Sequence, residues 1–109
     1  MNDGVRRYKA DAIATRFFVR YYTPTGRLLK PMLALQTTYN PVTNPSSIYP
    51  YELAVEGEGR TDNFVQQYVH ADGHCHFTPQ QIETAFSELV GWVDQGKRPT
   101  SGLLPEEHK

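Results

Sequence analysis

The chain has 109 residues, of which 39% are hydrophobic and 21% charged, and its formal net charge is −1. This length predicts one domain, spanning residues 1–109, and the composition is typical of a soluble globular protein rather than a disordered one. The near-neutral charge argues against nucleic acid or an anionic membrane as a partner. No apolar run approaches the roughly 20 residues that a membrane-spanning helix needs.

The amino-terminal sequence Met1–Gly4 lacks the apolar core of a secretory signal, which predicts a cytoplasmic protein. A single cysteine, Cys75, excludes an internal disulfide. We expect residues 1–9 and residues 100–109 to be flexible ends of the single domain.

The first predicted element is a helix from Ala10 to Tyr22. Ile13, Phe17 and Tyr21 recur four residues apart, which is the spacing of one helical face. The sequence Thr23-Pro24-Thr25-Gly26 ends the helix, because proline disfavours helical backbone in the residue before it and glycine permits a turn. An exposed aromatic group would indicate an interface, whereas we expect these aromatic side chains to lie in the core or at its rim: Tyr21, Tyr22, Tyr49, Tyr51 and Trp92.

Two short apolar segments predict strands. Met32 to Thr38 is apolar and ends in threonines, and Asn63 to His70 is rich in valine and aromatic residues. The intervening prolines and asparagines of residues 39–45 predict a loop. A helix is expected between the strands, capped by Ser46 or Ser47 and running to about Glu56. Its first turn would include Pro50, and Gly57 and Gly59 would end it.

The last helix has clear signals at both ends. Thr78 is a good N-cap, Pro79 suits the first helical position, and Gln81 completes a capping box. Gly96 supplies the stop. One apolar stripe follows the helix: Ile82, Ala85, Phe86, Leu89, Val90 and Val93. The order helix, strand, helix, strand, helix predicts an α/β fold with a small parallel sheet and flanking helices.

The loop Asp72–Pro79 between the second strand and the last helix concentrates reactive side chains, with His74, Cys75 and His76 in a row. A histidine at such a junction can act as a general base, because its ordinary pKa lies near 6.5. The chain contains no Gly-x-Ser-x-Gly, so the turn that commonly exposes a serine nucleophile is missing.

Several of these segments resemble the C-terminal part of an α/β-hydrolase, from the superfamily of esterases, lipases and peptidases. Gly73-His74-Cys75-x-Phe77-Thr78-Pro79 resembles the catalytic-histidine loop of one bacterial branch, and Trp92-Val93-x-x-Gly96-x-x-Pro99 resembles the end of its final helix. Residues 22–33 resemble the approach to the strand before the catalytic acid, and residues 36–42 resemble its exit loop. The resemblance covers the chain from Tyr22 onward and implies the C-terminal third of that fold.

The resemblance implies that His74 is the general base and acid of a serine triad. The family's acid position falls on Asn40, whose amide cannot carry the negative charge that stabilises an imidazolium. Asp72 or one of three glutamates could substitute for that acid: Glu52, Glu56 and Glu58. The nucleophile and the oxyanion hole belong to the family's N-terminal half. We therefore expect a hydrolase fragment or short homologue related to ester or amide hydrolysis, weak or inactive as an isolated chain.

Two alternatives remain open from the residues themselves. His70, His74 and His76, with or without Cys75, could bind zinc or another transition metal, since imidazole nitrogen and thiolate sulfur are suitable ligands. Otherwise no cofactor is expected, and Cys75 is expected to be a small buried residue. The third possibility is a noncatalytic self-associating domain. Ser46 and Ser47 are expected to be caps rather than nucleophiles.

The predicted partner is a second copy of the chain, in a dimer, or a complementing N-terminal half of a hydrolase. Only two strands can be identified, and parallel strands normally have neighbours on their edges. An open edge would expose unpaired N–H and C=O groups that can pair with another chain. Exchange of a helix across the loop of residues 39–45 would be another route to a dimer.

Overall fold

A computed structural model describes residues 3–105, and it consists of a parallel three-stranded sheet with helices around it. The helices are α1 (Ala12–Tyr22), α2 (Tyr49–Gly57) and α3 (Pro79–Gln95), and the strands are β1 (Met32–Tyr39), β2 (Phe64–Asp72) and β3 (Gly102–Leu103). Two short 3₁₀ turns, Pro45–Ser47 and Thr61–Asn63, precede α2 and β2. The predicted α/β class is confirmed at this level. Residues 1–2 and 106–109, parts of the predicted flexible ends, lie outside the described residues.

The sheet has the order β1-β2-β3, so β2 is its central strand. β1 pairs with β2 from Met32 opposite Phe64 to Thr37 opposite Val69, and the register then shifts so that Tyr39 lies opposite Asp72. β3 pairs with the other edge of β2 through two residues. This short strand was not predicted, because two residues carry no readable periodicity. It lies within residues 100–109, the segment that is expected to be a flexible end.

The core lies around β2. Five of its nonpolar or amide residues are buried, namely Phe64, Val65, Gln66, Gln67 and Val69. Val55 of α2 also has no exposed surface. Trp92 is the buried aromatic residue of α3, and the guanidinium of Arg98 lies 5.8 Å from its ring centroid. The prediction for Trp92 is confirmed. Tyr21, Tyr22 and Tyr49 are exposed instead, and Tyr51 is half-buried.

Helix boundaries follow local capping chemistry. α1 begins two residues later than predicted, because the Asp11 carboxylate accepts the backbone N–H groups of Ile13 and Ala14 at 3.0 and 2.8 Å. The prediction that Ser46 or Ser47 caps α2 is wrong. Asn44 caps the preceding 3₁₀ turn, with Pro45 in its first position, so both serines lie inside that turn.

α3 begins and ends as predicted. Thr78 and Gln81 form the capping box, and Gly96 adopts the left-handed conformation with φ of 69°. In contrast, much of the predicted apolar stripe of α3 faces solvent. No helix among residues 3–105 is long and apolar enough to cross a membrane.

Candidate functional site

The candidate site lies where β1 and β2 end together. Asn40 follows β1 directly, and His74 follows β2 by two residues. Because the carboxyl ends of parallel strands meet at the same side of a sheet, these two residues become neighbours although 34 positions separate them in the chain. The shift in register between Thr37 and Tyr39 occurs at this end of the sheet. Such irregularities re-aim side chains at the ends of strands.

Gly73 fixes the histidine loop to the end of β1. Its N–H donates to the Tyr39 carbonyl at 2.7 Å, and its own carbonyl accepts the Thr37 hydroxyl at 2.9 Å. Its φ is 109°, which an L-residue rarely adopts, so glycine is required for this attachment. These two hydrogen bonds therefore set the position of the histidine loop relative to the end of β1, which Asn40 follows.

The Asn40 amide contacts His74 through the ring nitrogen Nδ1. Its Nδ2 lies 3.1 Å and its Oδ1 3.2 Å from that nitrogen. Oδ1 already accepts the backbone N–H groups of Val42 and Thr43, at 3.0 and 2.8 Å. Since both acceptor positions of a carbonyl oxygen are then in use, Nδ2 is the better partner and donates to Nδ1. The proton of a neutral His74 ring then resides on Nε2.

The position of the ring proton determines which nitrogen of His74 can act as a base. A general base uses an unprotonated nitrogen, and in a serine triad a carboxylate accepts a proton from Nδ1 so that Nε2 stays free. With Asn40 donating, the arrangement at His74 is reversed. Among the described residues no carboxylate bonds to His74, so neither Asp72 nor the predicted glutamates substitute for the acid; Glu58 instead forms an ion pair with Arg27 at 3.3 Å.

Cys75 is exposed rather than buried, which corrects the prediction for this residue. Its backbone has a φ of 41°, the one positive value of a non-glycine residue in the described chain. Its Sγ lies 3.8 Å from Nε2 of His74. A side chain at such a backbone position costs about 1–3 kcal/mol. The surrounding hydrogen bonds of the loop therefore oppose this strain.

The three histidines do not converge. The His76 Nδ1–H donates to the Asp72 carbonyl at 2.7 Å, which orients that ring within its own loop, and His70 is exposed near the end of β2. Within residues 3–105 no group of three or more His, Cys, Asp or Glu side chains has the geometry to hold a metal ion. The predicted ligand set His70, His74, His76 and Cys75 is thus not brought together.

Two open depressions lie on the surface, one beside the candidate site and one along α3. A cleft of about 320 Å³ borders the strand ends and includes His70, and a groove of about 1020 Å³ follows the polar side of α3 and residues 97–100. Neither depression is lined by His74 or Asn40. Comparisons of the chain with protein-family models, curated proteins and solved structures gave no match.

Proposed function

We propose that this chain is the histidine-bearing part of an α/β-hydrolase-like ester or amide hydrolase, corresponding to the C-terminal third of that fold. The observation that supports the proposal most is the contact of 3.1 Å between Asn40 and His74 Nδ1. It joins the two residues to which the resemblance assigns the triad acid and the triad base, at the carboxyl end of two adjacent parallel strands.

In this role His74 handles the protons of acyl transfer. A serine hydroxyl supplied by another polypeptide would attack the acyl carbon, and the ring would take the hydroxyl proton and then give it to the leaving alcohol or amine. Water would next attack the acyl-serine while the ring takes the proton of that water. The acyl–oxygen bond would then break, the ring would return the proton to the serine oxygen, and the carboxylic acid would leave. The present chain supplies the proton carrier and its neighbour, and the complementing N-terminal half of a hydrolase would supply serine and oxyanion hole.

Asn40 lowers the ability of His74 to accept a proton from a serine hydroxyl. The amide favours the ring tautomer with the proton on Nε2, which removes the lone pair that a serine proton requires. In serine proteases the corresponding change from carboxylate to amide lowers turnover about 10⁴-fold. We therefore expect at most feeble hydrolysis of nitrophenyl acetate by the isolated chain, and a serine-directed phosphonate should not label it. Turnover above roughly 1 s⁻¹, which is within the ordinary enzyme range, would contradict the proposal.

Nitrogen NMR of the histidine rings provides the direct test. In the parent chain the proton of neutral His74 should reside on Nε2, and in the Asn40→Asp variant it should move to Nδ1, since a carboxylate can only accept a hydrogen bond there. His76 is an internal control, because its Nδ1–H donates to a backbone carbonyl that the substitution leaves in place. An unchanged His74 tautomer in Asn40→Asp would show that the two loops do not meet in solution.

The second function that we propose is a metal-binding module with His70, His74 and His76 as ligands. It has weaker support, because His76 Nδ1 already bonds within its loop and no cluster of ligands forms in the described residues. Elemental analysis of the purified chain separates the two proposals. Stoichiometric zinc, lost together with His76→Ala but retained in Asn40→Asp, would favour the metal module over the hydrolase part.

A further inference from the structure

The described chain exposes far more surface than a compact domain of its size. Its solvent-accessible surface is 9037 Å², whereas a compact monomer of 12.4 kDa exposes about 6100 Å². Its radius of gyration of 17.8 Å likewise exceeds the value of about 13 Å expected for 109 residues. Ten of the 19 exposed large hydrophobic side chains in the described part of the chain lie on two helices.

The first of these helices is α1, which has no buried residue. Its apolar side, here called the α1 stripe, consists of Ile13, Phe17, Phe18, Tyr21 and Tyr22, and each of these side chains is more than half exposed. The aromatic rings contact one another, with centroids 4.9 Å apart for Phe17 and Tyr21 and 5.2 Å apart for Phe18 and Tyr22. An isolated helix of eleven residues is marginal in water, so such a stripe requires a surface to pack on.

The second is α3, which buries one side and exposes another. Ala85 and Trp92 are buried, whereas the exposed α3 stripe consists of Ile82, Phe86, Val90 and Val93. These four side chains cluster within about one third of the helical circumference, on a face that adjoins the buried pair. Two helix faces of the chain are therefore apolar and are not covered by other residues in the range 3–105.

The charges beside the two stripes are opposite in sign. Arg16 and Arg20 each precede a residue of the α1 stripe by one position, and α1 contains no acidic residue. Glu83 and Asp94 each follow a residue of the α3 stripe by one position, and α3 contains no lysine or arginine. Each stripe thus has charges of one sign along one side. Within residues 3–105 the recorded ion pair joins other residues, Arg27 and Glu58.

We propose that the chain forms a twofold homodimer in which α1 of each copy packs on α3 of the other copy. The apolar stripes would face each other, and the arginines of α1 would lie beside the carboxylates of the partner's α3. A twofold axis makes the same contact twice, so both stripes of both copies are covered at once. This proposal does not depend on the proposed function of His74.

The available area is sufficient for a stable dimer. A standard interface buries about 800 Å² on each partner, which is well below the excess of about 2900 Å² over a compact monomer. The opposite charges beside the two stripes favour a second copy of the chain over an unrelated protein as the partner. An unrelated partner would have to supply an acidic apolar face for α1 and a basic one for α3, whereas this chain carries the complement of each face. The net charge of −1 gives no strong repulsion between copies.

Sedimentation equilibrium of the 109-residue chain is the first test, with twice the 12.4 kDa monomer mass expected at micromolar concentration. Phe17→Glu and Phe86→Glu place a charge in the middle of one stripe and should each raise the dissociation constant at least about a hundredfold, as expected for the loss of a buried aromatic contact. Val19→Glu is the matched control, because Val19 is equally exposed on α1 but lies on the opposite side from the stripe.

Exchange of the charges gives a sharper test that does not confuse poor folding with lost contact. Arg16→Glu with Arg20→Glu makes one acidic variant, and Glu83→Arg with Asp94→Arg makes one basic variant. Each variant would then oppose like charges in its own dimer, raising its dissociation constant about tenfold or more. In a mixture of the two, both α1–α3 contacts again join opposite charges, so heterodimers should form with nearly the parent affinity.

Each outcome of these experiments either supports or contradicts the packing of α1 on the partner's α3. A dimer that both charge variants weaken and their mixture restores supports the proposed packing. A folded monomer at micromolar concentration would overturn it, and so would a dimer in which Phe17→Glu and Val19→Glu have the same effect. A dimer that ignores both charge variants would overturn it as well, because the copies would then meet through another surface such as the free edge of β1.

Discussion

The strand β2 and the helix α1 are both rich in apolar and aromatic residues, yet the fold treats them in opposite ways. Phe64, Val65 and Val69 of β2, the central strand of the sheet, are buried, whereas no residue of α1 is buried. The difference teaches that apolar periodicity specifies the type of an element and which side needs a cover, but not the origin of that cover. β2 is covered by its own chain, and α1 has an uncovered stripe.

The largest expected effect comes from Gly26, which connects the segment after α1 to the packed region. Its φ is 74°, and an added Cβ would lie 2.3 Å from the backbone carbon of Ala54 in α2. Because neither backbone can move without displacing the other, we expect Gly26→Ala to lower the free energy of unfolding by more than about 4 kcal/mol. Urea unfolding measures the loss.

Gly59→Ala is the control for Gly26→Ala. Gly59 also has a positive φ, of 64°, but an added Cβ there meets open space. Only the backbone penalty of about 1–2 kcal/mol should remain. Equal losses for the two variants would mean that the contact between Gly26 and α2 does not form.

Two valines make the contrast between core and α1 quantitative. Val55 has no exposed surface, and Val55→Ala should lower the free energy of unfolding by about 2 kcal/mol through lost burial and a residual cavity. Val19 is 61% exposed in α1, and Val19→Ala should change that free energy by less than about 0.5 kcal/mol. If the two substitutions had similar costs in urea titrations, α1 would belong to the same packed unit as α2.

The smallest expected effect concerns Tyr68 at the centre of the sheet. Burial, followed by the negative charge of Glu52, raises the pKa of Tyr68 above its ordinary value of 10.0. A pKa that is higher in the folded protein gives a stabilising contribution that is complete below the unfolded value and is lost as the pH rises through the folded value. Stability should therefore decline above pH 10, measured as the urea midpoint.

Tyr68→Phe isolates this contribution from the other tyrosines, because phenylalanine has no proton to lose. The variant should show a shallower decline above pH 10 than the parent chain, while Tyr39→Phe, at an exposed position of β1, should decline as the parent does. Identical alkaline profiles of the parent chain and Tyr68→Phe would contradict the raised pKa of Tyr68.

The sequence predicted those parts of the fold that local chemistry determines. The capping box of Thr78 and Gln81 and the stop at Gly96 were read correctly because both signals lie within one helical turn. The start of α2 was missed because Asn44 formed a 3₁₀ turn first. β3 was missed because its two residues are strand only through their pairing with Gln67 and Tyr68.

The candidate site was likewise predictable from the sequence only in part. The position of His74 in a loop was readable, and its proximity to Asn40 was implied by the resemblance, which assigns the positions of the triad base and acid to these two residues. The direction of the hydrogen bond was not readable, since it depends on the N–H groups of Val42 and Thr43 that occupy Asn40 Oδ1. The exposure of Cys75 was also out of reach, because it follows from a backbone φ of 41° that its residue type disfavours.

The free edge of β1 has a consequence for how the protein behaves when it is concentrated or heated. The strand Met-Leu-Ala-Leu-Gln-Thr-Thr-Tyr contains no charge, proline or glycine, and these are the residues that commonly prevent such edges from stacking. Segments of this length and composition form cross-β fibrils when they become accessible. We expect slow, thioflavin-positive aggregation at high concentration, which Leu35→Lys should delay by placing a charge on the stacking surface.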